Sequence, residues 1–113
     1  MTVSITGQPD ILTMIHAYHT TPETQQAVFD GLVEGLGLHG HRMAGHLSSS
    51  TRKSLDGLRV TSYSQWDAQA SRALFENPAA LQQSLEWFAP PTSAATGQDA
   101  HVYGQVTPWQ PAQ

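Results

Sequence analysis

Few side chains in this sequence can do chemistry, and three of them, His16, Arg52 and Ser62, are spread among aromatic residues. Tyr18, Phe29, Tyr63, Trp66, Phe75, Trp87 and Phe88 are the candidate walls of a cavity between a sheet and its helices, with those three as its polar groups. Such a lining suits a flat aromatic ligand that carries hydroxyl or carbonyl oxygens. The plainer reading of each aromatic is core packing.

Other chemistries find less support. Six histidines invite a metal reading, through His16 with His19 or through His39, His41 and His46, because neutral imidazole is a common ligand for zinc, copper and iron. His16 and His19 point to opposite faces of a strand, however, and the second group lies in a Gly-rich segment without an acidic partner. No intrinsic metal site is expected. The serines lack a Gly-x-Ser-x-Gly elbow. The glycines at 31, 35, 37 and 40 do not follow a strand, so there is neither a phosphate-cradling loop nor a dinucleotide fingerprint.

Composition narrows the classes further. The 113 residues fit one domain, read as a core over 11–107 between polar tails at 1–10 and 108–113. Charged residues make up 12% of the chain, against roughly 25% in an average soluble protein. Five Lys and Arg against nine Asp and Glu cannot lay down a basic stripe, so no nucleic-acid partner is expected. The chain has no Cys, hence no disulfide framework and no thiol nucleophile. The first residues do not read as a signal peptide, and no apolar run approaches the ~20 residues of a membrane span. A soluble, cytoplasmic protein with no membrane partner is expected.

The elements that must position the aromatic residues can be read in order. Ile11 to His19 reads as a strand apolar on both faces. Thr21-Pro22-Glu23 starts a helix predicted to run to about Met43, with Val28, Leu32, Leu36 and Met43, flanked by Phe29 and Val33, as its apolar stripe. Its glycines suit close packing on the sheet or an irregular end, and the sharper alternative is room for a ligand. Ser54-Leu55-Asp56-Gly57 is a turn between two extended arms, His46 to Lys53 and Leu58 to Trp66. Asp67 caps a helix that Asn77-Pro78 interrupts and restarts, with Leu81, Leu85 and Phe88 as its stripe. A last strand is predicted over Ala100 to Thr107. Strand, helix, strand, strand, helix, strand is the ferredoxin-like order, an α+β fold with an antiparallel sheet. Both crossover helices cover one face, so the open face is expected to meet a second sheet in a homodimer.

The hairpin carries a family resemblance. Gly45-His46 through Asp56-Gly57 to Ser62-Tyr63-Ser64-Gln65-Trp66, with Asp67-Ala68 opening a helix, resembles the antibiotic biosynthesis monooxygenase family. Its members are dimeric α/β barrels of ferredoxin-like protomers. The likeness is nearest to small enzymes that oxidise anthrone-type polyketides to quinones with molecular oxygen and no metal or prosthetic group. It implies that Trp66 stands in the pocket and that Ser62 occupies the place of a functional Asn. A hydroxyl replaces an amide donor only in part. A basic residue used by some members aligns near Ser84, which cannot take that role. His16 falls where relatives place a polar group facing the cavity, and it alone among these residues titrates near pH 7. The haem-degrading branch needs an axial His that Ala68 to Asn77 does not contain.

The resemblance therefore implies a cofactor-independent oxygenase acting on an aromatic polyketide-type substrate. His16, Ser62 and Trp66 are its catalytic candidates, and Tyr18, Phe29, Arg52, Tyr63, Phe75 and Phe88 its binding candidates. A cofactor-free cyclase or isomerase, and a binding protein without catalysis, are the alternatives.

Overall fold

The strand β1 (Ile11–His19) forms the axis of the sheet, pairing antiparallel with β3 (Arg59–Asp67) on one side and with β4 (Gly97–Tyr103) on the other. The computed structural model describes residues 10–89, 92–104 and 111. An edge strand, β2 (His46–Lys53), completes the order β2-β3-β1-β4, and the chain follows the ferredoxin-like path expected from its sequence.

Turn chemistry sets the hairpin. Gly57 adopts φ +82°, where a side chain would be strained and would press on Pro22. The Asp56 carboxylate accepts from the Ser54 hydroxyl at 2.7 Å and the Leu58 amide at 3.0 Å. Opposite this turn, the β2–β3 register slips between His46 and Ser48. His46 faces Trp66 while Ser48 faces Gln65, so Leu47 is one residue too many. This bulge reverses the alternation of β2.

The helix α1 (Gln25–His39) begins after a turn in which the Thr21 amide donates to the Thr24 hydroxyl at 2.9 Å. It is shorter than the predicted Pro22 to Met43 span, because Gly40 leads into a 3₁₀ turn, Gly40–Arg42. Val28 and Leu32 are buried against Tyr18, Val60 and Phe88, with Leu36, Met43 and Phe29 packed at the margin. Val33, predicted to flank the stripe, lies on the outer side, 47% exposed.

The second crossover is broken as expected, but begins later. The Asp67 carboxylate accepts from the Ala70 amide at 2.8 Å, and regular structure starts only at α2 (Arg72–Glu76). The Asn77 carboxamide oxygen then accepts from the amides of Ala79 and Ala80, with Pro78 in the first turn of α3 (Pro78–Glu86). β4 starts three residues before the predicted Ala100. The predicted end at Thr107 lies outside the described residues, as do 1–9 of the first tail and 108–110, 112 and 113 of the last.

Pairing fixes the two faces of the sheet. Met14, His16 and Tyr18 share the helix face with Ser62, Ser64 and Trp66; Thr13 and Ile15 share the open face with Tyr63 and Gln65.

Candidate active site

Between the sheet and the helices lies an apolar pocket whose floor is built by β1 and β3. Met14, His16, Tyr18, Ser62, Ser64 and Trp66 all face it. Leu32, Leu36 and Met43 close one side, and Leu74, Phe75, Leu81, Leu85 and Phe88 the other. The atom-free space, mouth included, is about 490 Å³. The pocket is a narrow slot.

Trp66 is 2% exposed, with Phe75 edge-on to its ring at 5.1 Å and the His46 ring at 4.8 Å. Its indole N–H donates to the Ser64 hydroxyl at 2.9 Å. Ser64 therefore holds the indole in place.

His16 is stacked on Tyr18 at 4.2 Å between ring centroids. Its Nε2 lies 2.7 Å from the Gln98 side-chain oxygen, which only accepts, so Nε2 carries the proton. Nδ1 is left as the acceptor, 3.4 Å from the Tyr18 hydroxyl. Burial pushes the His16 pKa below its ordinary value, against the opposing pull of Gln98 and Asp99. Burial likewise pushes the Tyr18 phenol up to about 12. Both are neutral near pH 7.

Ser62 sits directly opposite His16 in register and faces the same slot, 6% exposed. Ser84 of α3 contributes another hydroxyl to the lining, and β2 adds His46 and Ser49.

The structure thus brings together His16, Tyr18, Ser62, Trp66, Phe75 and Phe88. It places three of the binding candidates elsewhere. Tyr63 and Arg52 belong to the open face of the sheet, because each is an odd step along its strand from the pocket residues. Phe29 is turned outward on α1, under the Lys53 ammonium at 5.2 Å, and lines an outer groove. Trp87 also leaves the pocket: it stacks on His39 at 5.4 Å, with the Arg42 guanidinium 4.6 Å from its ring centre. Sequence reasoning missed Ser64, Ser49 and the pocket position of His46. For Ser64 the signal was there, since it shares the parity of Ser62 and Trp66.

Among the described residues no three His, Asp or Glu side chains converge as a metal site, and no helix is long and apolar enough to cross a membrane.

Sheet, crossover helices and aromatic slot define the class: an α+β ferredoxin-like protein with an enclosed site for a small organic molecule. No protein-family model matches the chain. It is 32% identical over 76 residues to tetracenomycin-F1 monooxygenase of Streptomyces glaucescens, covering 66% of this chain and 68% of that relative. The fold is shared with a Streptomyces coelicolor monooxygenase, ActVA-Orf6, solved in complex with nanaomycin D (TM-score 0.63, 20% identity, 91% of this chain and 93% of that one). It is shared too with SnoaB, a cofactor-independent oxygenase from Streptomyces nogalater (TM-score 0.51, 17% identity, 90% and 96%). The chain belongs to the antibiotic biosynthesis monooxygenase family and is an oxygenase of that family.

Proposed function

We propose that this oxygenase converts an anthrone-like aromatic polyketide to a quinone with molecular oxygen and no cofactor. The observation that carries the reading is the slot itself, with aromatic walls and neutral imidazole and hydroxyl groups, suited to a flat, enolisable ring system. A relative named tetracenomycin-F1 monooxygenase, and a protein of like fold solved with nanaomycin D bound, support the substrate class.

In this mechanism the substrate methylene loses a proton to His16 Nδ1, directly or through the Tyr18 hydroxyl. Ser62 donates to the enolate oxygen that forms. The carbanion then transfers electrons to dioxygen, and the resulting peroxide eliminates water. One oxygen atom ends in the new carbonyl and the other in water, so the two hydrogens of the methylene supply all the reducing power. The Trp66 N–H is engaged by Ser64 and so is not the donor to the anion. Trp66 contributes its ring face as a wall for the substrate.

The test is oxygen uptake with 1,8-dihydroxyanthrone, together with appearance of the anthraquinone. Wild type consumes one O₂ per quinone, and His16→Gln lowers kcat at least tenfold. Turnover undiminished without oxygen would replace this reading by a cyclase or isomerase, which Ser62 in place of an amide donor favours. Binding without turnover would leave a ligand-binding protein.

A homodimer through the open sheet face accompanies the proposal. On that face Thr13 and Gln65 are paired in register, and Thr13 Oγ1 and Gln65 Nε2 are buried with no hydrogen-bond partner among the described residues.

A further inference from the structure

His46 and Ser49 are three residues apart on β2, a spacing that in a regular strand sends side chains to opposite faces. The bulge at Leu47 cancels this. His46 is set beside Trp66 and Ser49 beside Ser64, both on the pocket face. There they meet, with His46 Nε2 2.6 Å from Ser49 Oγ. The other ring nitrogen, Nδ1, lies 3.1 Å from the Gly40 carbonyl oxygen. A carbonyl only accepts, so Nδ1 carries the proton and Nε2 must accept from the Ser49 hydroxyl. The tautomer is thereby fixed, and the serine oxygen is backed by a base with its lone pair aimed at it.

We propose that Ser49 and His46 form a proton relay for a ring hydroxyl of the bound substrate. The phenolic proton passes to Ser49 Oγ as the serine proton passes to His46 Nε2. The products are a substrate phenolate, an unchanged Ser49 hydroxyl and an imidazolium steadied by the Gly40 carbonyl. This inference deepens the oxygenase reading and rests on it for the substrate class, since a phenolate is the more electron-rich partner for dioxygen.

Three features fit the role. Burial holds His46 below its ordinary pKa, so the imidazole is neutral and able to accept near pH 7. His16, by contrast, donates from Nε2 to Gln98, and its open nitrogen faces Tyr18. Finally, His46 and Ser49 also line the outer groove between α1 and β2, which gives the proton a way to water. The titratable groups around the pair are His16 and Tyr18 across the slot and His41 in the groove.

The experiment reads proton transfer without requiring turnover. The probe is 1,8-dihydroxyanthraquinone, whose phenolate absorbs at longer wavelength than its phenol. In complex with wild type its ionisation midpoint is expected at least one pH unit below that in the Ser49→Ala complex, a tenfold change in proton affinity. His46→Gln should match Ser49→Ala, and Ser49→Thr should restore the wild-type midpoint. Equal midpoints in wild type and Ser49→Ala, with binding retained, would overturn the relay. If the midpoints differ as expected but 1,8-dihydroxyanthrone is not oxidised, the relay stands and the oxygenase reading falls. Oxidation at wild-type rates by Ser49→Ala would do the reverse.

Discussion

Replacing Ser64 by Ala removes one oxygen atom and should unsettle the pocket far more than its size suggests. The Trp66 indole is almost wholly buried and its N–H is satisfied by Ser64 Oγ at 2.9 Å. With Ala at 64 the donor has no replacement among the described residues, and an unsatisfied buried N–H costs about 1–2 kcal/mol. A 113-residue chain unfolds with an entropy of roughly 2.1 cal/mol/K per residue, so Tm should fall by about 4–8 °C. Calorimetry or far-ultraviolet circular dichroism measures this directly. The decisive form is a double-mutant cycle with Trp66→Phe, which keeps an aromatic ring but has no N–H. In that background Ser64→Ala should cost at least about 1 kcal/mol less, because no donor is left stranded. Equal cost in both backgrounds would show that the hydrogen bond is not what Ser64 contributes, and the account of how Trp66 is held would be wrong.

Gly45 adopts φ +83°, and a Cβ there would lie 2.6 Å from the Ser71 nitrogen, so Gly45→Ala should destabilise by about 3 kcal/mol or more, read as a fall in the urea midpoint. His16 and His46 are both held below the ordinary 6.5 by burial, so the unfolded chain takes up protons that the folded one resists. Stability should accordingly be full above about pH 6.5 and decline as pH falls below it, and His16→Gln should flatten that decline in denaturant titrations. Tyr18, pushed up to about 12, should not ionise at pH 10.5 in the folded protein, as an ultraviolet difference titration against Tyr18→Phe would reveal. Arg52→Ala and Tyr63→Phe alter the face away from the slot and should leave kcat within about twofold of wild type, whereas Ile15→Lys on that face should yield monomers by sedimentation.

Much of the fold was legible because its signals are local. Asp56-Gly57 makes the hairpin turn through a positive φ and a carboxylate that accepts from the Leu58 amide just before the next strand. Asn77-Pro78 restarts the second helix through a side-chain cap that needs no tertiary help. The site was harder to read. Parity along β3 already separates Tyr63 from Ser62 and Trp66, so its misplacement came from counting aromatics without counting steps. Phe29 differs from buried Val28 by one residue, about 100° around a helix, and only packing decides which of the two turns inward. The bulge in β2 leaves no mark in the sequence: Leu47 is an ordinary strand residue, and the slip depends on how β2 meets β3. That is why His46, Ser49 and the fixed tautomer could be seen only in three dimensions.

The bulge also bears on how relatives of this chain should be compared. Because the bulge absorbs Leu47, an imidazole and a hydroxyl three residues apart share a face, and deleting Leu47 would leave them two residues apart, still on one face of a regular strand. A relative that keeps every residue but pairs β2 without the bulge would turn one of the two side chains away from its substrate. In β2, the register against β3 carries chemical meaning that an alignment of residues does not display.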